Sequence, residues 1–282
     1  MINLRHYCIT VILFPNAKIN IGLFIVAKRE DGYHDIETIF YPVKFHDALE
    51  FVTPPGLKSD ELIVTGANTG MEDTGSNLVM KAVKKVRELK QFPAVRIHLH
   101  KSIPAGAGLG GGSSDASSII KSINLHFDLG ITNDELMQIA GTIGSDCPFF
   151  IENVPAFAKG RGEKLQPAGE FLSGYYIALL NPGLHISTKE AYANCKPSSP
   201  SISLEEAARL PVNQWKDKII NDFEGFAFSK YPLIGHIKDE LYNTGAVFSL
   251  MTGSGSSVFG IFNEKQVLPE SLKKHLVYEG KL

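Results

Sequence analysis

The chain has 282 residues, of which 44% are hydrophobic and 21% charged, with a formal net charge of −2; this is ordinary globular composition, enough for one large domain or two modest ones. The near-neutral charge argues against a nucleic-acid-binding surface, which would be clearly basic, and no stretch approaches the roughly 18 consecutive apolar residues of a membrane span. Cys8, Cys147 and Cys195 are far apart and odd in number, with neither a metal-binding Cys-x-x-Cys spacing nor a disulfide framework, so buried free thiols in a reducing cytoplasm are expected.

The apolar patch from Cys8 to Phe14 is short and lacks a small-residue cleavage site, so it reads as a strand rather than a signal peptide. "AKINIGLFIVA" is β-rich, with Ile19, Ile21, Leu23 and Ile25 on one face. "HDIETIFYPVKFHDALEFV" continues that character and "ELIVTG" is a further short strand. The period then changes. In "SNLVMKAVKKVRELK", Leu78, Ala82, Val86 and Leu89 recur at helical spacing behind a Ser76 or Asn77 cap. "PAVRIHLH" is a strand whose Val95, Ile97 and Leu99 alternate with Arg96, His98 and His100. A helix follows with Ala116, Ile119, Ile120, Ile123 and Phe127 on one stripe. "TNDELMQIAGTIG" is a second helix, opened by a Thr132–Glu135 capping box, with Leu136, Ile139, Ala140 and Ile143 facing inward. "GSDCPFF" places Asp146 between a helix end and an apolar strand. Beyond Glu163 come a strand ("YYIALLNP"), two helices ("SISLEEAARL", "PLIGHIKDELYNTG"), two strands around a Gly/Ser turn ("AVFSLMTGSGSSVFGIF") and a last helix ("PESLKKHL"). Strands grouped early, without steady βαβ alternation, predict an α+β fold with a seam near residue 160.

Between the strand at 95–99 and the helix lies "PAGAGLGGGSS", with Gly106, Gly108, Gly110, Gly111 and Gly112 in seven residues. A flexible linker does not fit, because a strand leads in and an amphipathic helix leads out with no spacer. Gly106, Gly108 and Gly111 satisfy the dinucleotide-binding pattern G-x-G-x-x-G, but polar residues alternate through the preceding strand and no acidic residue closes a second strand. No lysine follows the glycines as a Walker A loop requires. A phosphate cradle of another kind accounts for the glycines, the serines and the helix together. Main-chain N–H groups and the helix macrodipole favour an anion there, and Ser113 and Ser114 add hydroxyl donors.

The stretch resembles the P-x-x-x-G-L-x-x-x-S-S motif of the GHMP kinases, the family of galactokinase and of the homoserine, mevalonate and phosphomevalonate kinases. "PNAKINIGLFI" resembles that family's first motif and "MTGSGSSVFGIF" its third, so the likeness runs from about Pro15 to Phe262. The form G-L-G-G-G-S-S, with "KREDGYHDIETIF" and "GSDCPFF", is similar to one branch whose substrate carries a cytidine diphosphate. The resemblance implies a two-lobed α+β fold: a ribosomal protein S5 domain 2-like ATP-binding lobe over residues 1–160 and a ferredoxin-like lobe over 161–282. It implies transfer from ATP, with Mg2+, to a hydroxyl of a small molecule.

The resemblance also implies roles for particular residues. Pro104, Ala105, Gly106, Ala107, Gly108, Leu109, Gly110, Gly111, Gly112, Ser113 and Ser114 would cradle the ATP phosphates. Asp146 would be the general base, and Lys18 would hold it ionised and stabilise charge on the moving phosphoryl group. By their surroundings alone, Lys18 could equally be a lysine snorkelling to solvent and Asp146 a turn aspartate. Asn20, on the strand face of Lys18, would bond the substrate or simply be a satisfied polar residue at the core edge. Tyr33 would stack on a cytosine ring, His34 would bond its polar edge, and Tyr192, four residues after Thr188, would clamp the other face. Asp115 could assist Mg2+, although the ATP phosphates and serine hydroxyls could hold most of it.

Overall fold

A computed structural model describes residues 10–66, 76–195, 197 and 202–282; Cys8 and the start of its apolar patch lie outside them. The first half of the chain forms β1 (Thr10–Leu13), β2 (Asn16–Lys28), β3 (His34–His46), β4 (Ala48–Val52), β5 (Glu61–Gly66), α1 (Leu78–Leu89), β6 (Arg96–Lys101), α2 (Gly111–His126), α3 (Asn133–Ile143) and α4 (Cys147–Glu152). The second half forms β7 (Ala156–Lys159), β8 (Lys164–Pro167), β9 (Tyr176–Leu180), α5 (Thr188–Ala193), α6 (Leu204–Ala208), α7 (Glu224–Lys230), α8 (Pro232–Asn243), β10 (Phe248–Met251), β11 (Val258–Phe262), α9 (Glu270–Lys273) and β12 (Leu276–Lys281). Among the described residues no helix is long and apolar enough to cross a membrane.

The contacts gather into two compact units that interleave along the chain. The first comprises Met1–Ala17, Phe45–Ala105 and Gly111–Glu152. Its sheet has the order β1-β4-β6-β5, antiparallel except for the parallel pair β5/β6. Along β6 the expected alternation holds: Ile97 and Leu99 are buried while Arg96, His98 and His100 face outward. Beneath them Val83, Val86, Ile119, Ile120, Ile123 and Ile139 close one hydrophobic core. Asn77 caps α1 by accepting the Val79 N–H at 2.9 Å. The buried face of α1 is Val79, Ala82, Val83 and Val86, and Leu89 is exposed. The inward stripe therefore starts one residue later than Leu78, because i, i+3, i+4, i+7 from Val79 collects the apolar residues more completely. The Thr132–Glu135 capping box forms as expected. The stretch read as an apolar strand after Asp146 is instead α4. It is too short to show a helical period, and its apolar residues are buried on every side, which a strand would mimic.

The second unit comprises Lys18–Lys44, Gly106–Gly110 and Asn153–Leu282. It holds two sheets, ordered β2-β3-β7-β8 and β10-β11-β9-β12. β2 is buried on both faces from Ala17 to Ile25, not only at the four alternating positions. The C-terminal residues, which carry no readable motif, form β12 and pair with β9. Leu23, Ile25, Leu180, Phe223, Ile234, Leu241 and Val258 belong to the core of this unit. Helices and strands mix without regular βαβ alternation, as the α+β expectation required.

Candidate active site

Lys18 sits near the start of β2 and is only 3% exposed, which removes the snorkelling alternative. Its Nζ donates to Asn20 Oδ1 at 2.5 Å and to the Gly108 carbonyl at 3.3 Å, and lies 5.0 Å from the centroid of the Phe40 ring. Asn20, 2% exposed, is fully engaged. Its Nδ2 donates to Thr38 Oγ1 at 2.9 Å, and its own N–H donates to Thr252 Oγ1 at 2.9 Å. The Thr252 hydroxyl in turn donates to the Gly108 carbonyl at 3.0 Å. One network of buried polar groups thus joins the strand lysine, the glycine loop and the 252–257 turn. Asn20, held by Thr38, orients Lys18.

The loop itself turns on glycines in the left-handed region, with φ +63° at Gly106, +78° at Gly108 and +70° at Gly110. At Gly108 the close approach decides the residue type: a Cβ there would lie 2.1 Å from the Thr252 carbonyl oxygen. Gly108→Ala is expected to cost about 2 kcal/mol or more from strain and collision together. Its Tm should fall by several degrees, whereas Gly112→Ala, whose Cβ would meet only Leu78 Cδ1 at 3.6 Å, should match or exceed the parent in the same scan. Equal Tm values for the two would refute the packing argument.

α2 begins at Gly111, so the loop runs straight into a helix N-terminus whose first amides have no partner within the helix. Ser114 Oγ is buried and bonds no other protein group. Asp146 lies in the turn between α3 and α4, half-buried beside fully buried Cys147. Burial pushes the Cys147 thiol up to about 11, making it an inert core residue. Cys195 is only half-buried, not fully as expected, and its thiol is likewise pushed up to about 11 by desolvation.

The aromatic residues divide into two contacts. The His34 and Tyr192 rings stack 4.9 Å apart at 16°. Tyr33 is 51% exposed, and the Arg161 guanidinium covers its ring 3.8 Å from the centroid. Tyr192 also meets Phe223 edge-on at 4.9 Å, which anchors it in the core. Thr188, at the start of α5, shares a hydrogen bond of 3.1 Å with Ser254 Oγ, next to the turn that holds Gly108.

Two residues escaped the sequence reading. Asn221, 3% exposed, donates through Nδ2 to the carbonyls of Met251 and Gly253, both at 2.8 Å, and so sets the turn that receives the glycine loop. Arg161 is the other. "IINDF" and "GRGEK" contain no spacing that points to either role.

A magnesium ion carried by nucleotide phosphates needs few protein ligands, and those should be oxygens. The unpartnered Ser114 hydroxyl is of that kind, and among the described residues no cluster of three or more His, Cys, Asp or Glu side chains suits a metal. The donors at hand fit an ion that arrives with its nucleotide.

Residues 77–161 match the GHMP kinases N terminal domain family and residues 204–274 the GHMP kinases C terminal family. The chain is 48% identical over 264 residues to the 4-diphosphocytidyl-2-C-methyl-D-erythritol kinase of Bacteroides thetaiotaomicron, covering 93% of this chain and 95% of that protein. It is 46% identical to the protein of the same name from Parabacteroides distasonis, covering 96% and 100%. A crystal structure of 4-(cytidine 5'-diphospho)-2C-methyl-D-erythritol kinase superposes with a TM-score of 0.75 at 31% identity, covering 89% of this chain and 90% of that one. The mevalonate kinase of Methanococcus jannaschii superposes with a TM-score of 0.64 at 13% identity over 94% and 93%, a likeness of fold alone.

Proposed function

The chain belongs to the GHMP kinase family, among its 4-diphosphocytidyl-2-C-methyl-D-erythritol kinases, and from that premise we propose that it transfers the γ-phosphoryl group of ATP to the 2-hydroxyl of 4-diphosphocytidyl-2-C-methyl-D-erythritol, a step of the non-mevalonate route to isoprenoid precursors. The observation that carries this reading is 48% identity across nearly the whole chain to an enzyme of that name.

Residues 104–114 receive the ATP phosphates on main-chain amides, aided by the Ser113 and Ser114 hydroxyls and the N-terminal end of the α2 dipole. Asp146 takes the proton of the 2-hydroxyl as that oxygen bonds to the γ-phosphorus. The bond from the γ-phosphorus to the bridging oxygen breaks, and ADP leaves with the electron pair. Lys18, already oriented by Asn20 and the Gly108 carbonyl, stabilises the charge that builds on the transferred group. Mg2+, held by the ATP phosphates with Ser114, would neutralise phosphate charge. Tyr33, His34 and Tyr192 read the cytosine, and Thr188 bonds the substrate nearby. Because His34 and Tyr192 now touch directly, a base that enters between them replaces their mutual contact. Free thiols at Cys147 and Cys195 support a cytoplasmic location.

The test supplies ATP with 4-diphosphocytidyl-2-C-methyl-D-erythritol, mevalonate or homoserine and follows product by phosphorus NMR. A new phosphate at the 2-position of the cytidylated alcohol alone, inhibited by free cytidine nucleotide, is expected. Turnover of mevalonate or homoserine instead would overturn the assignment.

A further inference from the structure

One group of buried charges has no part in the phosphoryl-transfer steps of the proposed function. It lies in the unit that holds β4, β6 and α2. Asp47 occupies the single-residue link between β3 and β4. Its Oδ1 accepts the N–H groups of Ser102 and Ile103 at 2.6 and 2.8 Å, and its Oδ2 accepts from Lys101 Nζ. Its own N–H donates to the Pro15 carbonyl at 2.9 Å. Lys101 is the last residue of β6, and its Nζ also donates to Asp115 Oδ2 at 2.6 Å in the opening turns of α2. The side chains are 13% exposed at Lys101, 0% at Asp47 and 2% at Asp115, so solvent screens little of this interaction.

The connectivity is directional. Asp47 and Lys101 grip the chain at 101–103, immediately before Pro104. Asp115 grips it immediately after Ser114. Only the loop residues 104–110 and the first turn of α2, 111–114, lie between the two grips. Gly111 sits inside the same contact, since a Cβ there would lie 2.8 Å from Ile103 Cγ2 and 3.3 Å from Lys101 Nζ.

Stability alone is a poor reason for such a group. Burial opposes every one of these charges, and well-packed apolar residues of similar volume commonly hold a core at least as well. Burial, with the neighbouring charge of Asp47, pushes the Asp115 carboxyl up to about 7 against the pull of Lys101. Burial also works against the Lys101 ammonium, but the two carboxylates outweigh it and hold that group above its ordinary value. What the ion pairs add to the apolar contact of Gly111 with Ile103 is a directional link between two particular backbone segments.

We propose that Asp47, Lys101 and Asp115 form a clamp that fixes the distance between the two ends of the glycine loop, and that they are positioning residues for ATP binding. This rests on the reading that residues 104–114 hold the ATP phosphates. The loop ahead of α2 carries three glycines in the left-handed region, Gly106, Gly108 and Gly110, and such a segment loses much conformational freedom when it orders around a ligand. Fixing both ends beforehand removes part of that loss and raises affinity without any added contact to the nucleotide.

Asp115→Ala is the informative variant, because Lys101 keeps Asp47 and no buried charge is left uncompensated; Asp115→Leu, which fills the vacated space, serves if the alanine protein does not fold. The KM for ATP should rise about tenfold, while kcat at saturating ATP and the KM for the cytidylated substrate stay within about twofold. Asp115→Asn, which retains an acceptor for Lys101, should fall between Asp115→Ala and the parent. Hydrogen exchange in residues 105–114 should be slowed by a non-hydrolysable ATP analogue in the parent, and should be faster without nucleotide in Asp115→Ala. An unchanged KM for ATP in a folded variant, with the parent loop still protected by nucleotide, would defeat the clamp and leave the loop reading standing. Absence of that protection in the parent would defeat both. Recovery of the ATP KM on raising Mg2+ would make Asp115 a metal ligand and overturn the clamp as well.

Discussion

Asp146→Ala is expected to lower kcat by about 10³-fold or more while ATP still binds, since general-base catalysis by a positioned side chain commonly contributes 10² to 10⁴ and no second base is assigned here. Asp146→Asn should lose as much, because it keeps the size and one acceptor oxygen but cannot take a proton. The residue's place in the structure makes this a clean experiment. Asp146 is half-buried in the turn between α3 and α4, and the apolar packing there is carried by its neighbours Cys147, Phe149, Phe150 and Ile151. Removing the carboxylate therefore takes no atom out of the hydrophobic core. A coupled assay for ADP gives kcat, calorimetric titration gives the ATP affinity, and a thermal scan verifies the fold. A kcat within tenfold of the parent would remove Asp146 from the proton-transfer step.

Lys18→Met is expected to lower kcat by about 10²- to 10³-fold, the range seen when one preorganised group that stabilises transition-state charge is removed. Methionine keeps an unbranched stem to fill the site on β2 and gives up the ammonium that lies over the Phe40 ring. Of the acceptors released, the Gly108 carbonyl retains the Thr252 hydroxyl as a donor at 3.0 Å, and Asn20 Oδ1 lies 3.4 Å from that same hydroxyl. The Tm should accordingly move by only a few degrees while turnover collapses. Lys18→Arg should not rescue activity, because a 3% exposed position hemmed by Asn20, Gly108 and Phe40 has no room for a planar guanidinium. Full activity in Lys18→Met would return this lysine to a purely structural role.

Much of the fold is legible in the amino-acid sequence. Strong periodic signals survived: the β6 alternation of Ile97 and Leu99, the Thr132–Glu135 capping box and the hairpin of β10 and β11 all appear where their patterns place them. Weak or doubled patterns did not. In α1 two overlapping stripes share the core: Val79 and Val83 join the expected Ala82 and Val86, Leu78 packs against them partly buried, and Leu89 is exposed. In α4 six residues give too little length for a period to show. β7 and β8 carry four residues each and no clean alternation. At the candidate site, the glycine run marked itself by composition, but its partner could not be found that way. That Gly108 packs on Thr252 is a relation between residues 144 apart, and Asn221 fixes the receiving turn from a segment with no motif at all. The clamp was hidden for the same reason. Asp47, Lys101 and Asp115 are ordinary charged residues in the sequence, and only the pairing of β4 with β6 brings Asp47 to the mouth of the loop. The aromatic residues show a further limit: the resemblance named Tyr33, His34 and Tyr192 together, but only the fold reveals that His34 stacks on Tyr192 and that Arg161 covers the Tyr33 ring.

The most direct measurement is a crystal structure with a non-hydrolysable ATP analogue bound. The account predicts β- and γ-phosphate oxygens within hydrogen-bond distance of main-chain N–H groups in residues 105–114, with the Lys101–Asp115 and Lys101–Asp47 contacts intact. A polyphosphate bound to other residues, with this loop untouched, would contradict it.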